Sequence, residues 1–170
     1  MDNTIDFAII RLGYGNRHLD ESFYENVNGA IAAGLQIGVY YYSYALDTYA
    51  AEIEANFLVD TLLDCGLTAD RLPMGVWFDQ EDADGYKARN GVTDGETLTE
   101  MCAAFVNVCR TRGFKCGVYV RKPRLAGEPP RYVRFPRRAD LVRPVVVALR
   151  LAGDGNLAEH RRTGNWRAIL

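Results

Sequence analysis

The chain has 170 residues, 48% of them hydrophobic and 25% charged, and a formal net charge of −2. That length suits one domain with a real core, and no apolar run approaches the roughly 20 residues needed to span a bilayer. The composition reads as a soluble globular protein, with no nucleic-acid partner expected and no membrane span.

The opening stretch MDNTIDFAIIRLGYG lacks the basic segment, long apolar run and small-residue cleavage site of a signal peptide, so export is expected to need another route or segment. Phe7 to Leu12 is a short apolar run rich in β-formers, closed by Gly13-Tyr14-Gly15, and predicts a buried strand. Asp20 predicts the cap of a helix on which Phe23, Val27 and Ile31 recur every four residues until Gly34. Ile37 to Tyr44 predicts a second strand. Asp47 then predicts the cap of a longer helix, with Ile53, Phe57, Leu58 and Leu62 on one face and Gly66 at its end. Val76 to Gln80 predicts a third strand. Glu96 to Arg112 predicts a helix with Met101, Cys102, Phe105 and Cys109 inward and Gly113 after it, and Lys115 to Val120 a fourth strand. Strand and helix alternate four times over short connections, which predicts βαβ units and a parallel sheet whose sites lie at the C-terminal strand ends. Four strands do not choose between an open sheet and a barrel.

Beyond Arg121 the pattern stops. Residues 1–120 carry 8 Lys/Arg against 18 Asp/Glu, whereas residues 121–170 carry 12 against 4 and five of the six prolines. The domain division is therefore 1–122 for the folded part and 123–170 for an Arg/Pro-rich tail. Cys65, Cys102, Cys109 and Cys116 form no C-x-x-C pair, and two helical turns place Cys102 about 10 Å from Cys109, too far for a disulfide. They are expected to be small apolar packing residues. With His18 and His160 the only histidines, no zinc site is expected.

The third strand ends in acids, VWFDQEDADG. Alternation along a strand puts Trp77, Asp79 and Glu81 on one face, with the Cα atoms of the two acids about 6.6 Å apart. Two carboxylates that close raise the pKa of one of them, and burial adds to this, leaving a proton donor beside an anion, as glycosidic-bond cleavage requires. A solvated polar loop is the plainer reading of D-x-E, and a metal-assisted phosphoesterase a third. An EF-hand reading fails, because Gly91 falls where a bidentate Glu belongs. Tyr40, Tyr42 and Tyr44 share one strand face, and three tyrosines suit a sugar-binding cleft or a tyrosine-rich wall between sheet and helix. Arg11, in an apolar strand, wants an acid: either a site carboxylate or a structural partner.

Taken in order, FAIIRLGYG, GVYYYSYA, VWFDQE and GVY, with helices between them, resemble glycoside hydrolase family 25, the muramidase-type lysozymes. The resemblance implies a TIM-like (β/α) barrel, here incomplete, with strands two to five recognisable. It implies cleavage of the β-1,4 bond between N-acetylmuramic acid and N-acetylglucosamine in peptidoglycan, at the cell wall or outside the cell, without metal or cofactor. Glu81 would be the general acid/base. Asp79 would be the ionised carboxylate that steadies a positively charged intermediate formed with the substrate's acetamido group. Tyr40, Tyr42, Arg11 and Tyr119 would contact substrate. The family's opening D-x-S strand has no counterpart here, Asp6 not being its equivalent, and its closing W-x-x-Q-like strands are not found after Val120. Tyr41 stands where a histidine is frequent. The expectation for the tail is a disrupted reading frame or degenerate copy after about residue 121. The alternative is a genuine basic tail that docks on anionic cell-wall polymers. A noncatalytic or vestigial glycan-binding protein that keeps the groove is the alternative function.

Overall fold

The computed structural model describes residues 6–120. The boundary at 122 and the tail 123–170 lie outside them. The elements run in the order β1 (Phe7–Tyr14), β2 (His18–Leu19), α1 (Phe23–Ala32), β3 (Gln36–Tyr42), α2 (Thr48–Asp64), β4 (Val76–Asp79), α3 (Tyr86–Arg89), α4 (Gly95–Thr111) and β5 (Cys116–Tyr119). They build one mixed α/β sheet structure with strand order β2-β1-β3-β4-β5. β1, β3, β4 and β5 are parallel, and β2 folds back antiparallel on β1.

Each parallel strand is added on the same side of the one before it. Right-handed crossovers of that kind put every connecting helix on one face of the sheet. The core follows: Ile10 and Leu12 of β1, Val39 and Tyr41 of β3, and Val76 and Phe78 of β4 pack with residues of α1, α2 and α4. Phe78 stacks on Phe105 of α4 at 4.2 Å between ring centroids. Tyr41 is fully buried there, and its hydroxyl finds the partner that burial demands by donating to the Gly15 carbonyl at 2.7 Å. A singly wound sheet is the kind from which (β/α) barrels are made. Among the described residues it is open, with β2 and β5 as its edges. No described helix is long and apolar enough to cross a membrane.

Three local expectations need correction. α1 begins at Phe23 with Ser22 in the cap position, and Asp20 does not cap it. The Asp20 carboxylate instead accepts from the Ser22 N–H at 3.0 Å and pairs with Arg11. A strict four-residue spacing also drifts off the 3.6-residue face, so Ile31 is 50% exposed and Ala30 takes the inward place. Cys102, Cys109 and Cys116 are buried and free, but Cys65 is exposed just past the end of α2. On α2, Leu58 and Leu62 are buried as expected, and Ile53 and Phe57 only half-buried; Ala51, Glu54 and Ala55 complete the inward face. Asp47 caps this helix, accepting from the Ala50 N–H at 2.7 Å. Asp94 does the same for α4 through the Thr97 N–H.

Candidate active site

The face of the sheet opposite the helices is built in rows. In one row Arg11, Tyr40, Trp77 and Gly117 are register partners across β1, β3, β4 and β5. In the next, toward the C-terminal strand ends, stand Tyr14, Tyr42, Asp79 and Tyr119. The shared position of Tyr14 and Tyr42 depends on an irregularity in β1: its register shifts between Arg11 and Gly13. Gly13 tolerates no side chain, because a Cβ there would stand 2.1 Å from the His18 carbonyl oxygen.

Trp77 lies over Gly117, where a Cβ would approach its ring to 2.6 Å. Its indole N–H donates to the Met74 carbonyl at 2.8 Å, so the ring is held at one edge and has little freedom to yield. Gly117→Ala is therefore expected to displace the indole and cost about 1–3 kcal/mol of stability. Denaturant unfolding followed by tryptophan fluorescence measures this.

Asp79 closes β4 and is 9% exposed. One of its oxygens, Oδ1, is buried without a hydrogen-bond partner among the described residues. Burial, then the charge of Glu81, pushes its carboxyl up to about 8, against the pull of Lys87. Enclosure by the sheet therefore favours the protonated form of Asp79, which the family resemblance had marked as the ionised member. Glu81 stands two residues past the strand end and is half-buried.

Tyr42, half-buried beside Asp79, has its phenol pushed up to about 12 by burial, with Tyr44, Asp84 and Asp79 adding to it. Its ring meets that of Tyr44 at 5.2 Å, and Tyr44 meets Tyr86 of α3 at 5.2 Å. Tyr14 joins Tyr44 at 6.5 Å and stacks on His18 at 5.2 Å. The tyrosines thus form a continuous aromatic edge that reaches Asp79 at Tyr42, fixed at its hub by the Tyr44 hydroxyl donating to Asp84 at 2.9 Å. Arg11 takes the structural option: its Nε pairs with Asp20 at 2.5 Å, and its guanidinium lies 5.6 Å from the Tyr14 ring centroid. The site acids are not its ion-pair partners. Tyr40 and Tyr119 are half-buried on the same sheet face as Asp79.

Two charged residues beneath the site were not singled out from sequence. Glu54 of α2 is 2% exposed; its Oε1 accepts from the Tyr44 N–H at 2.9 Å, and burial pushes its carboxyl up to about 7. Its signal was legible, since Ala51, Ala55, Leu58 and Leu62 define an apolar helix face on which position 54 also falls. Lys87, likewise 2% exposed, sits in a four-residue helix too short to show any periodicity.

Residues 1–126 match the family described as glycosyl hydrolases family 25, and the chain belongs to that family. No curated protein matches it. Among solved structures, the modular autolysin LytC from Streptococcus pneumoniae is similar, with 22% identity and a TM-score of 0.57 over 68% of this chain and 26% of that one. A family 25 glycosyl hydrolase from Bacillus anthracis has 17% identity and a TM-score of 0.54 over 68% of this chain and 49% of that one. A muramidase from Trichobolus zukalii has 19% identity and a TM-score of 0.54 over 74% of this chain and 70% of that one. At these identities the likeness is one of fold. The chain spans about a quarter of the length of the autolysin it matches and about half of the Bacillus enzyme.

Proposed function

We propose that this protein is a peptidoglycan glycoside hydrolase that cleaves the β-1,4 bond between N-acetylmuramic acid and N-acetylglucosamine. The observation that carries the reading is the acid pair itself: Asp79 and Glu81, electrostatically coupled at the C-terminal end of β4, beside an aromatic edge, in a chain of family 25. In this reading the five strands are a segment of a (β/α) barrel. A similar protein adds support, since the pneumococcal autolysin LytC forms a complex with a synthetic peptidoglycan ligand.

The chemistry needs a proton on Glu81 and a charge on Asp79, whereas burial holds the Asp79 carboxyl up at about 8. Substrate resolves this. An acetamido N–H donated to Asp79 favours its ionised form. The proton that Asp79 held moves to Glu81. Glu81 then protonates the departing glycosidic oxygen while the acetamido oxygen attacks the anomeric carbon, and the ionised Asp79 stabilises the positive charge that develops. Water, deprotonated by Glu81, opens that intermediate with net retention and restores the proton. Tyr40, Tyr42 and Tyr119 line the approach on the same face.

Incubating the purified chain with peptidoglycan and identifying the new reducing ends tests the reading. Muramic acid ends are expected. Binding without release of ends would instead make the protein a glycan-binding module. A second consequence concerns pH: kcat/KM reports the free enzyme, so it should fall as pH rises through about 8, where Asp79 loses the proton the mechanism uses. A pH–rate profile flat between 6 and about 9 would contradict that proton's role.

A further inference from the structure

Glu81 has to be held in place by something other than the sheet. β4 ends at Asp79, and Gln80 is still tied to β5 through its N–H, which donates to the Tyr119 carbonyl at 2.9 Å. Past that point Lys87 takes over. Its Nζ donates to the carbonyl of Glu81 at 2.9 Å and to the carbonyl of Ser43. Ser43 in turn donates its own N–H to the carbonyl of Asp79 at 3.0 Å. One buried amine thus joins the ends of β3 and β4 around both acids.

Lys87 is itself held rigidly. The two oxygens of Asp82 accept from the N–H groups of Lys87, at 2.8 Å, and Ala88, at 3.0 Å, so the loop after Glu81 folds back on α3. Gly85, at φ 70°, makes the turn that lets it do so. Charges from each neighbouring element reach the amine: Glu54 of α2, Asp79 of β4, and Asp82 and Asp84 of the loop, with the Cys102 thiol of α4 also within its field. Packing alone does not account for a lysine here, because an apolar side chain of similar length would fill the space without desolvating a charge. Both charge states of the amine keep the two N–H donors that the two carbonyls need.

We propose that Lys87 is a positioning residue for Glu81: by holding the Glu81 and Ser43 carbonyls together, it fixes the point from which the Glu81 carboxyl reaches the glycosidic oxygen. The inference rests on the peptidoglycan-hydrolase reading. Its second effect is electrostatic, since the same cation favours the ionised form of Asp79.

The test is Lys87→Met in the full 170-residue chain. With Glu81 misplaced, kcat on peptidoglycan should fall by about 100-fold while KM stays within about 2-fold. In carboxyl NMR titrations the Asp79 transition should move to higher pH, because the cation is gone. A variant with native near-UV circular dichroism and unchanged kcat overturns the proposal. Should Lys87→Met fail to fold, 15N-labelling the lysines of the natural chain decides the matter, since it has only Lys87, Lys115 and Lys122. The Lys87 signal should then shift as Asp79 titrates while exposed Lys115 does not follow, and a Lys87 signal indifferent to that titration overturns the proposal. If the natural chain releases no sugar ends, the hydrolase reading fails, and the NMR titrations still decide whether Lys87 acts on the acid pair.

Discussion

Glu81→Gln is expected to lower the release of muramic acid reducing ends by about 10²–10⁴-fold, the range that a positioned general acid/base contributes. The amide matches the carboxyl in shape but can neither protonate a departing oxygen nor take a proton from water. The fold should be unaffected. The Glu81 side chain makes no hydrogen bond within the described residues, and the atom that Lys87 grips is a backbone carbonyl, which the substitution keeps. Asp79 offers a readout that needs no turnover. With the neighbouring charge gone, its titration should fall below about 8, yet stay above the ordinary carboxylate range because burial is the larger cause. Unaltered turnover in a folded Glu81→Gln protein would transfer the acid's role to another group.

Asp79→Asn should do two opposite things: abolish most activity and stabilise the protein. An aspartate that titrates near 3.8 when unfolded and near 8 when folded binds more protons in the folded state across that whole interval. Its contribution to stability is therefore complete below about pH 4 and shrinks as pH rises to about 8, by up to roughly 1.4 kcal/mol per pH step of one. At pH 7 the accumulated cost is on the order of 4 kcal/mol. Asparagine carries no such cost, and its amide takes the place of a group that was already unpartnered at Oδ1. The advantage of Asp79→Asn over the natural chain should grow between pH 5 and pH 8 in urea denaturation. Glu54 adds a smaller slope of the same sign, ending near pH 7, in both proteins. A variant less stable than the natural chain at pH 8 would mean that Asp79 is ionised and paired in the folded state. A gain in stability on loss of function is what a site held against its own electrostatics should show.

The repeating parts of this fold were legible because their signals are periodic. Three helices and four parallel strands fall where apolar runs and turn glycines put them, and Met101, Cys102, Phe105 and Cys109 are buried as a set. Local chemistry was harder to read. Asp20 looked like a cap because helix caps are commonly aspartate, but an arginine nine residues earlier on the adjoining strand competes for the same carboxylate. The two-residue strand β2 is too short to carry any pattern. At the site, Asp79 and the shared face of Tyr40 and Tyr42 could be read from alternation, whereas Glu81 and Tyr44 lie past the strand ends, where alternation no longer applies, and the raised carboxyl of Asp79 depends on enclosure by neighbouring strands. Lys87 depends on a contact across 44 positions, to Ser43, that no local pattern encodes.

The extra residue in β1 carries a consequence for how such a groove can change. Before it, Arg11 is the residue that stands in line with the tyrosines of β3; after it, the parity is reversed and Tyr14 does. Had the strand run evenly, a glycine would occupy that spot, and the ring that braces His18 and Tyr44 would point among the helices. One residue inserted in β1 thus decides which side chain stands on this flank of the open face, and removing it would trade Tyr14 for a glycine there while turning the tyrosine into the helix layer.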